Sequence, residues 1–145
     1  MQSVFIQVIG TVQGVGFRPF VYNLALKYDI KGWVNNDEKG VNILLYACEE
    51  NIQNFINELK SNPPILAKID SINIEKITQI KEYKTFEIIQ SESSKNKSTI
   101  ISPDIAICDD CIEDINDMSN FRYSYSLTNC TNCGPRYSII KTIPY

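Results

Sequence analysis

Four of the five cysteines stand in two CxxC pairs, Cys108-Asp-Asp-Cys111 and Cys130-Thr-Asn-Cys133, with residues 112 to 129 between them. Each CxxC turn presents two thiolates to one centre, and two turns at this spacing supply the corners of a tetrahedral zinc site. Four thiolates leave no coordination position open, so one structural Zn2+ per chain is expected, held by Cys108, Cys111, Cys130 and Cys133. A redox dithiol is the alternative. It would be a single motif in a thioredoxin-like βαβ setting, and a doubled motif fits it poorly. The fifth cysteine, Cys48, lies at a strand end and is expected to be a small buried hydrophobe rather than a nucleophile. The chain contains no histidine, which removes every mechanism built on an imidazole base.

Upstream of the cysteines the hydrophobic periodicity alternates between two periods. Val4, Ile6 and Val8 alternate with Phe5, Gln7 and Ile9, a strand pattern. A glycine-rich turn, Gly10 to Gly16, leads into a helix with Pro19 in its first turn and Phe20, Val21, Leu24 and Tyr28 at helical spacing. Residues 32–36 and 41–48 read as strands around the turn Asn35 to Gly40. Ile52, Phe55, Ile56 and Leu59 make a second amphipathic helix, ended by Asn62, Pro63 and Pro64. Residues 69–78 and 84–90 read as further strands. The order β-α-β-β-α-β predicts an α+β ferredoxin-like sandwich, two helices on a four-stranded antiparallel sheet. The polar stretch Ser91 to Ser98 reads as a linker. The predicted organisation is a first domain over 1–91, a linker over 92–102 and a four-cysteine segment over 103–145, the two modules failing independently.

Within the first domain, Gly10-Thr-Val-Gln-Gly-Val-Gly-Phe-Arg18 carries the most chemistry. Glycines let successive amide N–H groups converge on an anion, and the next helix aims its free N–H groups at the same place. Arg18, at the loop–helix junction, adds a planar fork that matches phosphate oxygens. These physical features leave two readings open, a structural turn and a small-anion site.

The same segment resembles the signature of the acylphosphatase family, and Gly32-Trp33-Val34-Asn35-Asn36 resembles that family's glycine–aromatic–Val–basic–Asn element. The resemblance covers roughly residues 3 to 90. It implies that Arg18 binds phosphate, that Asn36 orients the attacking water, and that the amides of Gln13, Gly14, Val15, Gly16 and Phe17 complete the cradle. Asn35 departs from the basic residue often found there. Trp33 is expected in the core. Around the cysteines, Ser-Pro-Asp-Ile-Ala-Ile-Cys-Asp-Asp-Cys and Phe-Arg-Tyr-Ser-Tyr-Ser-Leu-Thr-Asn-Cys-Thr-Asn-Cys-Gly-Pro-Arg-Tyr-Ser-Ile resemble the first zinc finger of the HypF family. That family matures [NiFe] hydrogenases. The resemblance implies hydrolysis of carbamoyl phosphate, or another small acyl phosphate, followed by adenylation and carbamoyl transfer to a HypE-type partner. The family's second finger and two later domains are not among these residues, so those last steps are expected elsewhere, and the chain is read as a fragment or a truncated product. The alternative is a non-catalytic phosphate-binding and zinc docking module.

Composition narrows the remaining classes. Hydrophobic residues make up 43% and charged residues 21% of 145, with a net charge of −3 and no long basic run, which argues against nucleic acid. No apolar run approaches the roughly 20 residues that span a bilayer, and the N-terminus has no basic leader, so a cytoplasmic location is expected. The N-x-S/T triplets at Asn96 and Asn129 read as chance matches.

Overall fold

The computed structural model describes residues 1–37, 39–78, 82–90, 106–130 and 133–134. The predicted linker, 92–102, lies outside these, as do residues 135–145.

The chain runs β1 (Gln2–Thr11), α1 (Phe17–Lys27), β2 (Lys31–Asn36), β3 (Gly40–Ala47), α2 (Glu49–Ser61), β4 (Lys68–Ile77), β5 (Phe86–Ile88) and α3 (Asp109–Asn116). The sheet has five strands in the order β4-β1-β3-β2-β5. The first four strands pair antiparallel, as the ferredoxin-like order predicts. The fifth corrects the expected four-stranded antiparallel sheet: Phe86–Ile88 pairs parallel with Gly32–Val34 at the β2 edge. Three residues hold no readable period, and their buried anchor is Phe86 alone.

Alternation in β1 sends Val4, Ile6 and Val8 into one core with Val34, Val41, Ile43 and Leu45. The helices close over it with Phe17, Val21, Leu24 and Ala25 from α1 and Ile52, Phe55, Ile56 and Leu59 from α2. Burial of each such large apolar side chain stabilises the fold by about 1.5–3 kcal/mol. Val12 and Val15 of the glycine-rich loop are also 1% exposed, so the loop is anchored to the core by its own side chains.

Two side chains differ from expectation. Trp33 is half-buried outside that core and packs on Phe5, ring centroids 6.3 Å apart, in the row Trp33–Leu44–Phe5 across three strands. Alternation along β2 requires this, because Val34 occupies the core-facing position. Cys48 is exposed, not buried: it caps the N-terminus of α2, where the chain leaves the sheet.

Candidate functional site

The glycine-rich loop ends on Gly16, whose φ of 73° is left-handed backbone, and Gly14 has a φ of 72°. Two such residues turn the loop back so that α1 begins at Phe17 with Arg18 as its second residue. Free N–H groups of the first helical turn and the positive end of the helix dipole therefore sit beside Arg18. α1 has no acidic residue in its first turn to compete for them.

Asn36 arrives from the end of β2. Its side chain is 6% exposed, and its Oδ1 has no hydrogen-bond partner among the described residues. A cavity of about 400 Å³ brings the two elements together, lined by Val12, Gln13, Gly14, Gly16, Phe17, Arg18, Pro19 and Asn36. Of the residues expected to bind phosphate or orient water, Val15 alone does not line it, since its side chain fills the core beneath. Asn35 is buried and does not line the cavity either.

Gln13 has a use that sequence reading missed. Its Nε2 donates to the carbonyls of Asp37 at 2.8 Å and Gly40 at 3.0 Å, tying the glycine-rich loop to the β2–β3 turn that follows Asn36. Asp37 holds that turn in shape. Its Oδ1 accepts from the amides of Lys39 and Gly40, and its Oδ2 accepts from Asn42 at 2.9 Å. Asp in a turn and Gln in a glycine-rich loop are too ordinary to point at each other from sequence.

The second cluster is built by α3 and a return loop. Cys108 caps α3 and Cys111 lies in its first turn, while Cys130 and Cys133 come back across it. Asp114 shapes the connecting loop, accepting from Asn120 at 2.7 Å and from Arg122 Nη1 at 2.9 Å. The four sulfurs all lie within 4.8 Å of one another, with Cys108–Cys130 at 3.4 Å, Cys111–Cys133 at 3.7 Å and Cys130–Cys133 at 3.9 Å. A tetrahedron with Zn–S bonds of about 2.3 Å has edges of about 3.8 Å, so the cage has the dimensions of a structural zinc site. Burial, with neighbouring sulfurs adding to it, pushes the Cys111 thiol up. Four thiolates ionise together here only around a cation. Cys48 takes no part in the cluster.

The two modules touch. A Cβ placed on Gly134 would stand 2.3 Å from the carbonyl oxygen of Gly14. Asn129, Cys130 and Gly134 line the same cavity as Arg18 and Asn36. Cys108 and Cys133 share a second cavity with Pro63, Pro64, Ile65 and Leu66, between α2 and β4. Gly134, just after the second CxxC, therefore lies against the glycine-rich loop, an approach that a side chain at position 134 would block.

Comparison with known proteins follows this division. Residues 4–88 match the acylphosphatase family and residues 107–140 match the HypF finger. A Methanocaldococcus jannaschii protein described as "Probable carbamoyltransferase HypF" is 48% identical over 144 residues, 99% of this chain and 19% of the relative. An acylphosphatase of Listeria monocytogenes is 41% identical over 88 residues, 60% of this chain and 95% of its own length. Among solved structures, a full-length HypF in its phosphate- and nucleotide-bound form superposes with a TM-score of 0.88 at 45% identity, over 99% of this chain and 19% of that one. The chain thus spans about a fifth of the length of the HypF relatives it matches.

Proposed function

The chain belongs to the HypF family, corresponding to the part that joins an acylphosphatase domain to a HypF finger, and on that premise we propose that it hydrolyses carbamoyl phosphate at Arg18 and Asn36. The observation that carries this reading is the single cavity into which α1 brings Arg18 and β2 brings Asn36.

In the proposed reaction the phosphoryl group lies against the loop amides, the N-terminus of α1 and the Arg18 guanidinium. Asn36 Oδ1, buried and without a partner among the described residues, holds a water in line with phosphorus. The water oxygen bonds to phosphorus as the bond between phosphorus and the bridging oxygen breaks. Carbamate leaves with that electron pair, and the water's proton passes to a phosphoryl oxygen. Carbamate is a good leaving group, so little acid catalysis is needed and a site without histidine suffices. Positioning and charge stabilisation supply most of the acceleration. Zinc takes no part in the chemistry. It holds the finger's fold.

In the full-length family setting the released carbamate is the first product in carbamoyl transfer toward a HypE-type partner, in making the cyanide ligands of [NiFe] hydrogenases. The test is phosphate release from carbamoyl phosphate by the purified chain, with inorganic phosphate as a competitive inhibitor. Phosphate binding without turnover would support the non-catalytic docking reading instead.

A further inference from the structure

The acylphosphatase relative from Listeria is matched over 95% of its length by 88 residues of this chain, so nothing in it corresponds to the finger. Here Gly134 of the finger lies against Gly14 of the glycine-rich loop, and Asn129 lines the cavity beside Arg18 and Asn36. The amide of Asn129 makes one hydrogen bond within the finger. Its Nδ2 donates to the carbonyl of Leu127 at 3.0 Å, and only the NH2 end of a carboxamide can donate to a carbonyl. The remaining polar atom, Oδ1, is therefore an acceptor. The other polar groups on this part of the wall belong to a glycine and a metal-site cysteine. With phosphate against Arg18 and the loop, the acyl group is the end of the substrate left to meet the finger.

We propose that the finger is a wall of the active site and that Asn129 is a specificity residue, its Oδ1 accepting a hydrogen bond from the NH2 of a carbamoyl group. The inference rests on the hydrolase reading above. It selects carbamoyl phosphate over acetyl phosphate, whose methyl group has the same size and no N–H. The zinc cage sets the position of Asn129, because the next residue, Cys130, is one of its four sulfurs.

The isosteric pair makes the test independent of shape. The ratio of kcat/KM for carbamoyl phosphate to that for acetyl phosphate is measured in the wild-type chain, in Asn129→Leu and in Asn129→Asp, with zinc content determined for each. Wild type is expected to favour carbamoyl phosphate. Asn129→Leu is expected to lower the ratio by about five- to tenfold, the factor that one net hydrogen bond gives, chiefly through loss on carbamoyl phosphate. Asn129→Asp keeps an acceptor and is expected to keep the ratio, even where its charge slows both substrates. A ratio unchanged in Asn129→Leu, or equal losses on both substrates, overturns the inference and leaves the hydrolase reading standing. A wild-type chain that releases phosphate from neither substrate overturns both.

Discussion

At the scale of the residue, the candidate site depends on short side chains held by their neighbours. Asn36 is predicted to matter through one buried oxygen, so Asn36→Ala is expected to cost at least about 100-fold in kcat, roughly 2.7 kcal/mol of barrier. Gln13 touches the β2–β3 turn with its side chain, so its effect is indirect. Gln13→Leu is expected to raise KM for the acyl phosphate and lower kcat together, because it releases the loop from the strand that carries Asn36. Steady-state kinetics separate the two: a Gln13→Leu enzyme with wild-type constants would remove the clamp from the account. The glycine-rich loop offered Arg18 and the family resemblance alone offered Asn36; both line one cavity, and their roles are the proposal above. Gln13 was legible only as a loop amide, because a glutamine gives no local sign of which carbonyls, more than twenty residues away, it will bond.

Between elements, the contacts differ in kind. The two helices meet the sheet through apolar side chains, and Phe55 is 0% exposed at the centre of that interface. Phe55→Ala is expected to destabilise the chain by about 3–5 kcal/mol, measured by denaturant unfolding. The helices also meet at the surface, where Glu58 accepts from Lys27 and from the Tyr28 hydroxyl at 2.5 Å. The bonds from Lys27 and then Tyr28 hold the Glu58 carboxyl below its usual value. A lowered carboxylate contributes stability that is present above its unfolded value and is lost as pH falls through the folded one. The difference in stability between wild type and Glu58→Gln is therefore expected to be small at neutral pH, since the group is solvent-screened, and to close in acid. A difference that widens on acidification would contradict the assignment. β1 to β3 and the helices α1 and α2 were readable because each carries buried residues at its own period, while β4 shows only half-buried Ile69, Ile72 and Ile77. β5 was misread in direction because a three-residue strand carries no period, and its pairing partner, β2, is far away in sequence.

For the molecule as a whole, the polar segment between the modules suggested two separate units, while the structure sets one against the other. Composition describes the path of the connection and says nothing about where its ends return. Gly134 meets the carbonyl of Gly14 because position 134 lacks a Cβ, a fit visible only once both are placed. The zinc segment is too small for a sufficient apolar core of its own, and structural zinc contributes on the order of 10 kcal/mol to such folds. Elemental analysis is expected to give one zinc per chain, unchanged in Cys48→Ser. Removing that zinc with a strong chelator is expected to lower kcat/KM by about tenfold or more, since a wall is lost and small displacements near reacting groups are costly. Full activity in the zinc-free chain would restore the two-unit picture.

The central claim, that an acyl phosphate is hydrolysed in the cavity between α1 and β2, is tested most directly by one comparison: phosphate release from carbamoyl phosphate by wild type and by Arg18→Lys. Lysine keeps the charge and the helix but lacks the planar fork that spans two phosphoryl oxygens. Release is expected from wild type, with a loss of at least about 100-fold, some 2.7 kcal/mol, in Arg18→Lys, and zinc content and circular dichroism unchanged. Wild-type turnover in Arg18→Lys would contradict that claim.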